Sequence, residues 1–184
     1  MVAPSYNRAA SPLSRARRRV RQFTTRLSRR HRGGDVDTRL RALLSPRQWV
    51  LVARLRPDDR RHLLAVHDRL IGRGCGDPDL LLAALLHDVG KADGRVQVRI
   101  PQRIAAVLLG WASPAILAAV ARPSRRGWRQ GLYLARDHAF LGAAAAWDTG
   151  CSERVRWLIA HHHDVGAMAD PGLRLLHEAD ELEG

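Results

Sequence analysis

The chain is short of lysine, of acidic residues at one end and of cysteine, and each shortage excludes something. Lys91 is the only lysine among 31 basic residues; the arginine bias, with abundant alanine and leucine, reads as genome composition. Residues 1–34 hold ten arginines and no acid, a charge of +10, whereas residues 35–184 hold 21 basic and 18 acidic side chains, a charge of +3. The net charge of +13 therefore belongs mainly to one end, and a nucleic-acid-binding body is not implied. Two cysteines, Cys75 and Cys151, cannot make a disulfide framework, and they suit a reducing compartment. The arginine-rich start has charge throughout and lacks the apolar central region of a secretory signal. With no export signal, a cytoplasmic location is expected.

Period-two alternation is nearly missing too. "RVQVRI" at 95–100 is the one candidate strand. The longest uncharged run, residues 104–121, is broken by Ser113-Pro114, which reads as an N-cap followed by a first-turn proline. Two short core helices are expected there, not a membrane span.

What is present is a series of capped helices. Residues 1–34 cannot offset their ordering entropy and are expected to be disordered, with Gly33-Gly34 as the boundary of a single all-α domain over 35–184. Helix starts are marked at Ser45, with Gln48 completing a capping box, at Pro57, at Asp77-Pro78, at Ser152 and at Asp170-Pro171. A further helix is expected over about 132–147, after a basic loop "RPSRRGWRQG". Trp111, Trp128, Trp147 and Trp157 are expected to pack in the core, at helical spacing.

The stretch "DLLLAALLHDVGKAD", residues 79–93, ends a buried-looking helix in adjacent His87 and Asp88. Gly90 and Lys91 suit a helix C-terminus, but the His-Asp pair needs partners. Helical spacing supplies them. Asp180 falls on the face of Leu173 and Leu176, His162 on that of Val155 and Leu158, His138 with Leu134 and Leu141, and His62 with Val66 and Leu70. His163 lies beside Ile159 and His161 beside Trp157. A lone imidazole on an apolar face is an ordinary core residue, yet five helices each aiming one inward is not ordinary. Burying so many polar groups is costly unless a metal ion joins them, and imidazole with carboxylate suits first-row divalent ions.

The ordered set His62, His87-Asp88, His138, His162-His163, Asp180 resembles the HD-domain metal-dependent phosphohydrolases. "LLHDVGK" is similar to that family's characteristic helix end, "RHLLAVHDRL" to its first-histidine helix, "DHAFLG" to its His-x-x-x-Gly element, "LIAHHHD" to its paired histidines and "LLHEADEL" to its last helix. The resemblance covers about residues 45–182. It implies one or two divalent ions (Mn, Fe, Mg, Co, Ni or Zn), with His62, His87, Asp88 and Asp180 holding the first. His138, His162 and His163 would hold a second, with Asp88 bridging. It also implies a hydrolase, phosphomonoesterase or phosphodiesterase, acting on a nucleotide or other phosphorylated small molecule through a metal-activated water. Asp88 and Lys91 would be catalytic, and Lys91, Arg125 and Arg126 would meet substrate charge; a charge at a helix end and a solvated loop are the bland readings of these cations. His67 competes with His62 for the first position, and His177 is placed to orient Asp180 or simply to pack. The Gly-Tyr-Pro signature of cyclic-di-GMP phosphodiesterases is missing, with "VGAMADPG" in its place and Asp164 where those enzymes carry glutamate. Two rival readings are a non-catalytic module whose basic tail meets nucleic acid or an acidic membrane surface, and a regulatory domain that senses a nucleotide without turning it over.

Overall fold

A computed structural model describes residues 33–125 and 127–183. The expected disordered tail lies outside these residues except for Gly33 and Gly34, and so does Arg126. The described residues are all-α. They form α1 (Gly33–Leu43), α2 (Pro46–Ala53), α3 (Pro57–Gly72), α4 (Pro78–Leu86), a 3-10 turn (Val89–Lys91), α5 (Ile100–Ala112) and α6 (Pro114–Val120). After these come α7 (Gly127–Trp147), α8 (Glu153–His161), a second 3-10 turn (Val165–Ala167) and α9 (Pro171–Glu183).

Caps explain the starts. At α2 the Gln48 amide donates to Ser45 Oγ, and the Gln48 side chain accepts from the Ser45 amide at 2.9 Å, the reciprocal box the sequence shows. Asp77 accepts from the Asp79 and Leu80 amides, Ser113 from Ile116, Ser152 from Val155 and Asp170 from Leu173. Each cap satisfies amides that a helix leaves without partners. Ser113 divides the uncharged run into α5 and α6 as expected, and among the described residues no helix is long and apolar enough to cross a membrane.

Two helices differ from expectation. α1 was not anticipated: Gly33-Gly34 forms its first turn, Leu40 is buried in the core, and Arg39–Asp68 and Arg60–Asp37 ion pairs tie it to α3. As the all-α reading implies, "RVQVRI" forms no strand; the segment makes one isolated bridge, Ala92 with Gln97, before α5 begins at Ile100. α7 starts at Gly127, so much of the expected basic loop is helix. Gly131, within α7, marks a close approach. A Cβ there would lie 2.2 Å from the Gln102 side chain, which donates to the carbonyl of Gly127.

α4 sits at the centre, packed by α3, α8 and α9, which is why its leucines and alanines are buried on more than one face. The main core joins Leu40, Val52, Leu63, Leu70, Leu86, Ile159 and Leu176 with their neighbours. A smaller cluster of Ala106, Leu117, Ala121 and Leu132 seats α5 and α6 on α7. Trp111, Trp128 and Trp147 are not core residues: they are 61%, 53% and 51% exposed. Helical spacing shows which residues share a face, not whether another element covers it. Trp157 does pack against the core.

The first 3-10 turn is pressed onto α7. A Cβ on Gly90 would fall 2.1 Å from the backbone oxygen of His138 and 2.7 Å from the Gly142 amide nitrogen. The glycines of "HDVGK" and "DHAFLG" therefore meet, backbone against backbone, and this contact sets Asp88 beside His138. Gly90→Ala should destabilise the fold by about 2 kcal/mol or more through overpacking, measured by urea denaturation. Unchanged stability would show that the turn does not depend on this approach.

Candidate metal centre

Three of the histidines, His87, His138 and His162, are oriented by one local device, a ring N–H donated to the backbone carbonyl three residues earlier. A helix leaves its last carbonyls without amide partners. His87 follows α4, and its Nδ1–H donates to Ala84 O at 3.0 Å; His162 follows α8, and its Nδ1–H donates to Ile159 O at 2.7 Å. Within α7, His138 Nδ1–H donates to Ala135 O at 3.1 Å. Each bond fixes the tautomer and leaves Nε2 as a lone-pair donor turned toward the interior, the orientation that metal ligation requires. This is why a buried helix ends in histidine: the imidazole satisfies a helix-end carbonyl with one nitrogen and presents the other.

These nitrogens converge with two carboxylates. His62 Nε2 is 2.8 Å from Asp180 Oδ1, and His87 Nε2 is 3.6 Å from the same oxygen. Donor atoms of His62, His87 and Asp180 all lie within 4.8 Å of one another, as do those of His138, His162 and His163. Asp88 stands between the two groups. Its Oδ2 is 4.0 Å from His62 Nε2 and 3.7 Å from His87 Nε2; its Oδ1 is 3.6 Å from His138 Nε2 and 4.0 Å from His162 Nε2. One carboxylate thus turns an oxygen to each triad.

Electrostatics fit a cation. His87 Nε2, His162 Nε2 and Asp88 Oδ1 are buried and have no hydrogen-bond partner among the described residues. Leaving each so costs about 1–3 kcal/mol, which a shared ion would offset. Burial would raise the Asp88 carboxyl, yet Lys91, His87, His138 and His62 hold it well below the usual carboxylate range. Burial would raise Asp180 as well, and its hydrogen-bond partners His62 and His87 hold it well down. Burial, with Lys91 nearby, pushes His138 down to about 3; burial, with His87, pushes His162 down to about 4. Burial disfavours charge on His87 also, but Asp88 and Asp180 raise it above its ordinary value. Both carboxylates are therefore ionised and two imidazoles neutral at pH 7, as metal ligands must be. The residues present fit a divalent ion on grounds of donor chemistry.

All seven expected ligands come together. His62 is the first-histidine candidate in this cluster, whereas His67 turns to Asp68, 3.2 Å away. Lys91 pairs its ammonium with Asp88 Oδ2, so it is more than a charge at a helix end. Arg125 is exposed ahead of α7, and His138 stands about 16 Å along that helix from its start. Arg129, expected in the loop, lies within α7 and donates to Val120 O. Asp164 uses its carboxylate to hold the Gly166 amide at 2.8 Å. His177, read beside Asp180, instead donates Nδ1–H to the carbonyl of His162 at 3.1 Å. The sequence showed its helical face but not that the neighbouring turn ended there. His161 stacks on Trp157, as its spacing implies.

Comparison with known proteins adds one finding. The family described as "HD domain" matches residues 61–184, a span that includes every member of the cluster. No curated protein and no solved structure matches the chain.

Two outcomes test the centre. His62→Ala should lower the metal content of the purified protein, and His67→Ala should not; equal loss in both, by elemental analysis, would remove His62 from its special place. Metal-free protein should lose stability as pH falls. Unfolded histidines titrate near 6.5, so below that pH the unfolded chain binds protons that folded His138 and His162 refuse until about 3 and 4. His87, whose folded value is raised, works the other way, giving stability that is lost as pH rises, and offsets part of the effect. Denaturation in EDTA should show a net loss of about 1–3 kcal/mol between pH 6.5 and about 4.5. His138→Asn should flatten that slope, and an equally steep slope in this variant would count against a neutral buried imidazole.

Proposed function

The chain belongs to the HD-domain family, and from that premise we propose that it is a metal-dependent phosphohydrolase acting on a phosphate ester of a nucleotide or related phosphorylated small molecule. The observation that carries this reading is Asp88, buried, ionised and turned by one oxygen to each of two three-donor groups. His62, His87 and Asp180 would hold one divalent ion and His138, His162 and His163 a second, with Asp88 common to both. A bound divalent ion supplies Lewis acidity, which activates water as a nucleophile at neutral pH and polarises a phosphoryl oxygen.

The chain's own residues do the rest. Asp88 and Asp180 bring two negative charges that neutralise a divalent ion and stay ionised because imidazoles surround them. The neutral His138 and His162 do not repel a cation. The backbone carbonyls of Ala84, Ala135 and Ile159 lock the rings, so little side-chain freedom is lost when ligands engage. Lys91, half-buried on Asp88, places a compact ammonium where the charge of an arriving phosphate has to be met. His163 is the exposed member of the cluster, its Nε2 3.2 Å from His138 Nε2, so it would be the ligand nearest solvent and an arriving substrate.

The test is metal analysis of purified protein joined to a screen of phosphomonoesters and phosphodiesters. Metal-dependent phosphate release should fall by at least about 100-fold in Asp88→Asn, with the melting temperature showing that the variant stays folded. Full activity in Asp88→Asn, or activity indifferent to chelation, would dismiss the proposal.

A further inference from the structure

Nine of the nineteen arginines among the described residues have a carboxylate partner, as Arg39 has Asp68, Arg69 has Glu183, Arg103 has Asp59 and Arg154 has Asp170. Arg54, Arg95 and Arg99 do not. Among the described residues no carboxylate pairs with any of the three, and all three are exposed. They nevertheless converge, lining one groove of about 700 Å3 together with Gln97, Gln102 and Trp128. Its wall carries no acid. Asp93, one residue from the groove, turns its carboxylate to the amides of Arg95 and Val96 and to the Gln130 side chain. Residues 94–136, which supply all of the groove except Arg54, contain eight arginines and no aspartate or glutamate.

Three like charges held together without counterions repel one another, so the free groove is electrostatically unfavourable and an anion relieves it. Guanidinium is always charged and offers a planar fork that matches phosphate oxygens in pairs. Trp128, 53% exposed at the rim, supplies an aromatic face on which a base or similar ring stacks. The volume lies in the range of small-molecule sites. One indole rather than a row of aromatics matches one base, not a strand of them. The groove is also separate from the metal centre: Trp128 and His138 lie ten residues apart on α7, about 15 Å along its axis.

We propose that this groove binds a nucleoside polyphosphate, with Arg54, Arg95 and Arg99 on the phosphates and Trp128 against the base, independently of the metal centre. The full-length protein would be titrated with ATP in EDTA, at about 0.15 M ionic strength, followed by tryptophan fluorescence and calorimetry. EDTA removes the metal centre from the measurement, so this proposal and the hydrolytic one fail separately. Saturable one-site binding is expected. Trp128→Ala should weaken ATP about tenfold and leave inorganic triphosphate unchanged. Arg95→Ala with Arg99→Ala should weaken both ligands, whereas Arg122→Ala, exposed and outside the groove, should weaken neither. The inference is overturned by absence of saturation, by indifference of ATP to Trp128→Ala, or by equal losses in the Arg122 variant. It is also overturned if a single-stranded oligothymidylate displaces ATP at equal phosphate concentration, since the groove would then belong to a nucleic-acid surface.

Discussion

The arrangement turns on one carboxylate. Asp88 is buried and ionised, a state that burial by itself opposes, and it persists because Lys91 and three imidazoles stand around it. Those cationic and polar groups come from α3, from the turn after α4, and from α7, so the charge of a single side chain is balanced by elements far apart in sequence. A buried ionised group loses far more by solitude than a pair gains by contact. The packing of the helices and the chemistry of the centre are in that sense the same problem.

Two backbone features solve it. Helix ends supply carbonyls that accept imidazole N–H groups, which sets the ring orientation at His87 and His162 without any further side chain. Glycines at 90 and 142 let the 3-10 turn touch the α7 backbone, which brings the oxygens of Asp88 within reach of His138. A larger residue at either point would hold the two triads apart. His177 adds a third support by holding the carbonyl of His162 from α9.

A second region has a different character. α5, α6 and the start of α7 rest on a small apolar cluster and carry arginines without acids. The metal centre is rich in carboxylate and imidazole, drawn inward; the groove by Trp128 is rich in unpaired guanidinium and faces outward. The two stand on one long helix, α7, His138 in the first cluster and Trp128 at the second.

Much of this was legible in the residues. Caps at Ser45, Asp77, Ser113, Ser152 and Asp170 marked helix starts because capping is a local hydrogen bond, and the inward faces of His62, His138, His162 and Asp180 followed from helical period alone. The family resemblance supplied the order in which they would meet. What the sequence could not say depended on neighbours. Whether His62 or His67 joined the cluster and whether Trp128 was covered were decided by which elements pack together. Local spacing fixes the side of a helix on which a residue stands; only the fold determines what stands opposite, since burial and pairing are properties of contacts between distant segments.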